Sequence, residues 1–317
     1  VPGIKYVGDA ACARCHQEIA DTFRRHPMGR SLAPIATAPA VGMPKTDGSA
    51  SFTAGGLQLA VERKGGRERH RETFFDDQGA PLARVENEVM YALGSGTRGI
   101  SYLVEHDGRL FQSPISWYSQ KNRWDLSPGY ELKNLHFDRP IEPLCLFCHS
   151  NRVEPIPHTV NRYTEPIFAG HSIGCERCHG PGELHIRRPV DGDEPDLTIV
   201  NPRHLTPALR LAVCEQCHVV GDQTVERLGH ALADFRPGLP SIDFRAVFGA
   251  CVEGSKVVGH VEQMKSSRCF RASDGLLDCT SCHDPHRVPD ASERIAYFRD
   301  RCLACHESRG CSVPVAT

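Results

Sequence analysis

Between residues 50 and 120 apolar and polar positions alternate in short runs, LQLAVER, RERHRETFF, LARVENEVMYAL, ISYLVEH and RLFQSPISWY. The breaks between them, KGG, DDQG, GSGTRG and HDG, are turn-formers. Period-two alternation bounded by glycine and aspartate predicts β-strands joined by tight turns, so this stretch reads as an antiparallel β-subdomain. A different pattern precedes it. In QEIADTFRRH, Ile19 and Phe23 stand four apart, the spacing of one buried helical stripe, and Pro27 ends the helix. A Pro/Ala/Gly-rich linker follows from about Pro34 to Gly48. After Leu132 neither period persists, and proline and glycine interrupt the chain often. Three segments are expected: 1–35, a β-rich segment 36–130, and 131–317.

The cysteines explain why periodicity fades. Of 15 cysteines in 317 residues, twelve fall in six copies of C-x-x-C-H: Cys12/Cys15/His16, Cys145/Cys148/His149, Cys175/Cys178/His179, Cys214/Cys217/His218, Cys279/Cys282/His283 and Cys302/Cys305/His306. This is the attachment signature of c-type haem. Positions i, i+3 and i+4 share one helical face, so two thiols can bond the porphyrin vinyl groups while the histidine meets the iron. Zinc ribbons pair two C-x-x-C units per metal and need no adjacent histidine, so six complete motifs argue against zinc. Six covalent haem c groups are expected. The last five motifs lie too close together for each haem to own a domain, which predicts a haem-dominated core with short helices at the motifs and mostly irregular chain between them. The β-subdomain is inserted after the first haem.

Six six-coordinate irons need six more ligands. Eleven histidines lie outside the motifs. Those near motifs or beside Pro/Gly turns are favoured: His26, His136, His171, His185, His204 and His286. His260 is the reserve, followed by His158 and His230. His70 and His106, within the β-stretch, read as solvated strand or turn residues. Met28 and Met264 are the weaker alternatives, and methionine ligation would raise the potential. The stretch HSIGCERCHGPGELH reads as a crossroads, binding its own haem and lending His171 and His185 to two others. Of the remaining cysteines, Cys269 and Cys311 are the favoured disulfide, leaving Cys251 free, although all three pairings are open.

Charge changes the picture little. The formal net charge is −2, no basic run points to nucleic acid, and no apolar run is long enough to span a membrane. Seven of the 37 basic residues are lysine; the arginine excess suits bidentate pairing with haem propionates, or reflects codon composition. A first residue other than methionine and the cysteine content fit a processed, exported chain, periplasmic or extracellular.

The segments YVGDAACARCHQEI, RRHPMGRSL, GSGTRGISYLVE, FQSPISWYSQKNRWDLSPGYE, RPIEPLCLFCHSNRVEP, GHSIGCERCHGPGELH and CHDPHRVP together resemble a family of exported multihaem cytochromes c, often fused to tetratricopeptide repeats. A remoter likeness is to the hydroxylamine oxidoreductase class. No such repeats occur in these 317 residues. The resemblance implies electron transfer with redox donor and acceptor proteins or an extracellular acceptor. Haem motifs near both ends of the sequence extend that expectation to a homo-polymer, a filament with a continuous haem chain. The alternative is an oxidoreductase of nitrogen or sulfur compounds with one open haem site. A third reading makes the β-subdomain a docking module.

Overall fold

The computed structural model describes residues 3–39, 47–188, 195–249 and 259–306. The chain divides into two compact units, one made of Val1–His26 with Cys175–Thr317 and the other of Pro27–Gly174.

The unit Pro27–Gly174 is built on an antiparallel sheet. Its strands are β1 (Leu32–Pro34), β2 (Gly48–Ala54), β3 (Leu57–Lys64), β4 (Arg67–Phe75), β5 (Pro81–Leu93), β6 (Gly99–His106), β7 (Arg109–Tyr118), β8 (Arg123–Leu126) and β9 (Arg139–Pro140). β2 to β8 pair in sequence order, β1 adds to β5, and β9 adds to β7. The expected meander is therefore present. β2 and β8, the ends of the path, approach each other, so the sheet curls over its inner face. Alternation puts Leu59, Val61, Val89, Tyr102, Val104, Ile115, Trp117 and Trp124 into one apolar cluster on that face. A second cluster joins Leu32, Leu103, Leu110, Ile141, Leu146, Tyr163, Ile167 and Phe168, and so packs the second motif helix, α3 (Pro143–His149), into this unit.

The turn between β5 and β6 depends on glycine. Gly94 sits at φ +119, and a Cβ there would lie 2.8 Å from the Gly99 carbonyl oxygen, while its amide donates to Ser31 O at 2.7 Å. Gly94→Ala is expected to cost about 1–3 kcal/mol of this unit's stability, read as a lower urea midpoint for loss of its β signal.

One expectation fails inside the sheet. His70 is not solvated: it is 0% exposed. It shares strand parity with Glu68 and Glu72, which are also buried, so β4 turns a charged face inward. The charges are matched there. Arg63 forks onto Glu68 Oε2, His70 Nε2 meets Glu68 Oε1 at 3.1 Å, and His70 Nδ1 meets Ser113 Oγ at 2.7 Å. His106, at the end of β6, is exposed as expected.

The other unit is helical and irregular. Its helices are α1 (Asp9–Ala13), α2 (Gln17–Arg25), α4 (Glu176–His179), α5 (Glu183–Arg187), α6 (Pro207–His218), α7 (His260–Ser266), α8 (Arg268–Ala272), α9 (Cys279–Cys282) and α10 (Arg294–His306), with one hairpin, β10 (Gln223–Glu226) and β11 (Arg245–Phe248). The motif helices are not uniformly short: α6 has 12 residues and α10 has 13, each ending on its motif histidine. A run of ordinary helix-formers with Pro207 at the first turn starts α6. Among the described residues this unit buries one apolar cluster, Ala212, Phe235 and Phe244. Leu197, Leu228 and Ile295 are more than four-fifths exposed.

Glu176 organises the start of the unit. Its buried carboxylate accepts the amides of Val7, Gly8 and Gly182 at 2.8–3.1 Å. Asp9 Oδ1 accepts the Cys175 amide at 2.9 Å, and Glu183 Oε2 accepts that of Lys5 at 2.8 Å. The first motif is thereby fastened to the third across most of the sequence.

Candidate functional site

Each motif places its two cysteines and histidine on or beside one helical turn. The amides of His16, His179 and His283 donate to the carbonyls of Cys12, Cys175 and Cys279, the i+4 closure that brings thiols and imidazole to one face. No disulfide joins any of the twelve motif cysteines.

Motifs distant in sequence meet through these thiols. Cys12 hydrogen-bonds Cys175, which lowers the pKa of Cys12 and raises that of Cys175. Cys214 and Cys279 form the equivalent pair, with Cys214 raised and Cys279 lowered. Burial pushes the Cys178 thiol up to about 11, with the nearby Cys217 contributing. Motifs one and three, three and four, and four and five are thus neighbours within their unit.

Three pairs of imidazoles face each other. His16 and His185 have ring centroids 6.1 Å apart and planes 12° from parallel. His179 and His286 stand at 5.9 Å and 10°. His218 and His260 stand at 5.2 Å and 84°. In each pair one ring belongs to a C-x-x-C-H motif and the other to a later segment.

The far nitrogens are held as iron ligands usually require. His185 Nδ1 donates to Asp196 Oδ2 at 2.5 Å, and His179 Nδ1 donates to Val200 O at 2.8 Å. In both, the Nε2 lone pair is left for a metal, the second-shell pattern that fixes tautomer and ring direction. Asp196 is held charged, its pKa lowered by hydrogen bonds from the Thr198 hydroxyl and amide, from His185 and from Arg188. Burial lowers the pKa of His149 and His179, and partial desolvation lowers that of the more exposed His171, which favours the neutral, ligating imidazole. His136 Nδ1 meets the buried Glu72 Oε2 at 2.9 Å.

The remaining expected ligands are placed as follows. His26 stacks on Phe23 at 5.8 Å. His171 is exposed beside Tyr91 and Phe168. His204 is exposed on the 3-10 turn Pro202–His204. His158 and His230 are also exposed. His260, the reserve in the sequence, is the one that faces a motif imidazole. Cys269 is exposed and free, while Cys251 and Cys311 lie outside the described residues, as does the disulfide expected between Cys269 and Cys311.

The donor set fits haem. Haem iron brings four porphyrin nitrogens and asks the protein for two axial ligands and two thioether anchors, which is what a C-x-x-C-H turn with a facing histidine offers. Among the described residues no group of three or more His, Cys, Asp or Glu side chains converges to cage a bare ion. No helix of the described residues is long and apolar enough to cross a membrane.

Residues 119–180 match the family described as cytochrome c554 and c-prime. Among solved structures the chain is similar to the crystal structure of outer cell wall cytochrome OcwA, with 17% identity and a TM-score of 0.44 over 76% of this chain and 44% of that one. The chain thus corresponds to less than half of that protein. No curated protein matches. The stretch shared with the cytochrome c554 and c-prime family contains the second and third C-x-x-C-H motifs, and the match supports a multihaem cytochrome c with covalently bound haem.

Proposed function

We propose that this chain is an exported six-haem electron-transfer cytochrome. The anchors are Cys12, Cys15, Cys145, Cys148, Cys175, Cys178, Cys214, Cys217, Cys279, Cys282, Cys302 and Cys305, and the proximal ligands are the six motif histidines. The observation that carries the reading is the pair of near-parallel imidazole couples, His16 with His185 and His179 with His286. Two imidazoles bound through Nε2 to one iron, with metal–nitrogen bonds of about 2.0–2.1 Å, hold their centroids roughly 6 Å apart. Both couples have that separation. His185 and His286 are therefore assigned as sixth ligands of the first and third haems. Histidine on both faces suits one-electron transfer and blocks exogenous ligands. The haems also account for the sparse apolar packing of the unit that carries five motifs, since their macrocycles would supply its core.

His185→Ala tests the reading. Mass spectrometry of the mature protein should show six haems per chain. The variant should convert about one haem in six from low to high spin and admit cyanide there, while wild type stays low-spin. Fewer than six haems, or an unchanged spin state, overturns the corresponding part.

A second reading concerns the last two motifs. Within the unit of Val1–His26 and Cys175–Thr317, no second imidazole faces His283 or His306 in a ring contact among the described residues; His283 meets Phe298. An open iron at either motif would make the protein an oxidoreductase of small nitrogen or sulfur compounds. A ligand lent by an adjacent copy would instead make it a filament. Nitrite or cyanide binding to wild type favours the first, and filaments of the native material in electron micrographs favour the second.

A further inference from the structure

We infer that His260 is the sixth iron ligand of the fourth haem, opposite His218, and that the two imidazole planes cross near 90°, unlike those of the first and third haems. The inference rests on the six-haem reading. Three independent features place His260 there. The rings of His218 and His260 face each other at 5.2 Å and 84°. The helix that begins with His260, α7, is tied to the motif helix α6 by the Lys265 Nζ–Glu215 Oε1 ion pair at 2.8 Å, and Glu215 lies between the two motif cysteines. Gly259, which caps α7, is buried so closely against the chain after the motif that a Cβ would lie 3.1 Å from the Val220 amide. Val261 is buried behind it. The start of α7 therefore has little freedom except in the His260 side chain. Opening the pair by about 1 Å, to the separation two metal–imidazole bonds require, is within reach of its side-chain torsions.

Ring orientation has a spectroscopic consequence. Each imidazole donates π density to the iron orbital perpendicular to its plane. Parallel planes raise one of the two orbitals and split the pair, whereas crossed planes raise both and leave them nearly degenerate. A nearly degenerate low-spin ferric centre gives a strongly anisotropic EPR signal with a large maximal g value, distinct from the rhombic signal of parallel couples. The wild-type spectrum should contain both types.

The test uses the full mature protein. His260→Ala should keep six covalent haems by mass, lose the strongly anisotropic signal, gain high-spin iron equal to about one haem in six, and recover low spin when imidazole is added. His260→Met should remain low-spin and acquire the long-wavelength absorption of a sulfur-ligated ferric haem, which reports ligation even if the alanine variant matures poorly. His106→Ala, at an exposed residue outside the proposed ligand set, should change neither spectrum. Six haems with unchanged spectra in both His260 variants would overturn the inference and leave the six-haem reading intact. Absence of haem on Cys214 and Cys217 in wild type would overturn the reading itself.

Discussion

Glu68→Ala should destabilise the β-unit by about 3–5 kcal/mol, the usual result of removing one partner from a buried ion pair. Glu68 is fully buried and binds both Arg63 and His70. Its loss takes the carboxylate away from a buried guanidinium and leaves the imidazole hydrogen-bonded to Ser113. Replacing Arg63 and Glu68 together with methionine and leucine should recover much of the loss, because the buried charge then disappears. Hydrogen exchange over β3–β6 in the mature protein is the measurement; unchanged protection in Glu68→Ala would contradict the argument. The pH dependence has a definite sign. Burial by itself raises the Glu68 pKa, but the hydrogen bond and charge of His70, then those of Arg63, outweigh it and hold the pKa below the ordinary value. A depressed carboxylate stabilises the fold above its unfolded pKa, and the contribution vanishes as pH falls through the folded one. Wild type should therefore lose its advantage over Glu68→Ala as pH falls below the ordinary carboxylate range.

Glu176→Ala should release the N-terminal segment from the third motif. Three amide hydrogen bonds to one buried carboxylate disappear at once. Bonds to charged groups contribute about 1.5–3 kcal/mol each and are not additive, so a loss of roughly 3–5 kcal/mol is expected. Glu176→Gln retains an uncharged acceptor and should lose less. Because Gly182 lies between His179 and His185, the same change loosens the turn that carries two proposed ligands. Limited proteolysis near residues 3–8 and a fraction of high-spin iron at the first haem should rise together. Proteolysis without the spin change would separate the clamp from the ligand geometry.

How legible was this in the sequence? The central strands were plain because period-two alternation is local, and glycine-rich turns fixed their order. β1 and β9 were not: three and two residues long, they exist only through pairing with β5 and β7. His70 misled because β4 keeps its period of two but buries the charged set, Glu68, His70 and Glu72. The available signal was parity, since all three stand at even positions in RERHRETFF and Glu68 pairs directly with Arg63 on β3. The motifs were legible residue by residue. Their partners were not, because the ring couples join residues 16 with 185, 179 with 286, and 218 with 260. His185 and His286, favoured for a nearby Pro/Gly turn, are the rings found beside His16 and His179. The preference for His204 had weaker grounds, and that residue sits on an exposed turn, whereas His260, with no motif or turn beside it, sits opposite His218.

The division of the chain also sets an order of construction. The unit Pro27–Gly174 is continuous and can close as soon as it is made, whereas the other joins Val1–His26 to everything after Cys175. Synthesis runs N-terminus first, so Cys12, Cys15 and His16 emerge before Asp9 has Cys175 to bind, before Glu176 can grip Val7, and long before His185 exists to face His16. The earliest motif is the one that must wait. Completion of the sheet turns the intervening stretch from a flexible tether into a compact spacer and lowers the entropy cost of bringing the ends together. A maturing molecule should therefore pass through a stage with a folded β-unit and a dangling, accessible first motif, where haem attachment and proteolysis compete for the same short segment.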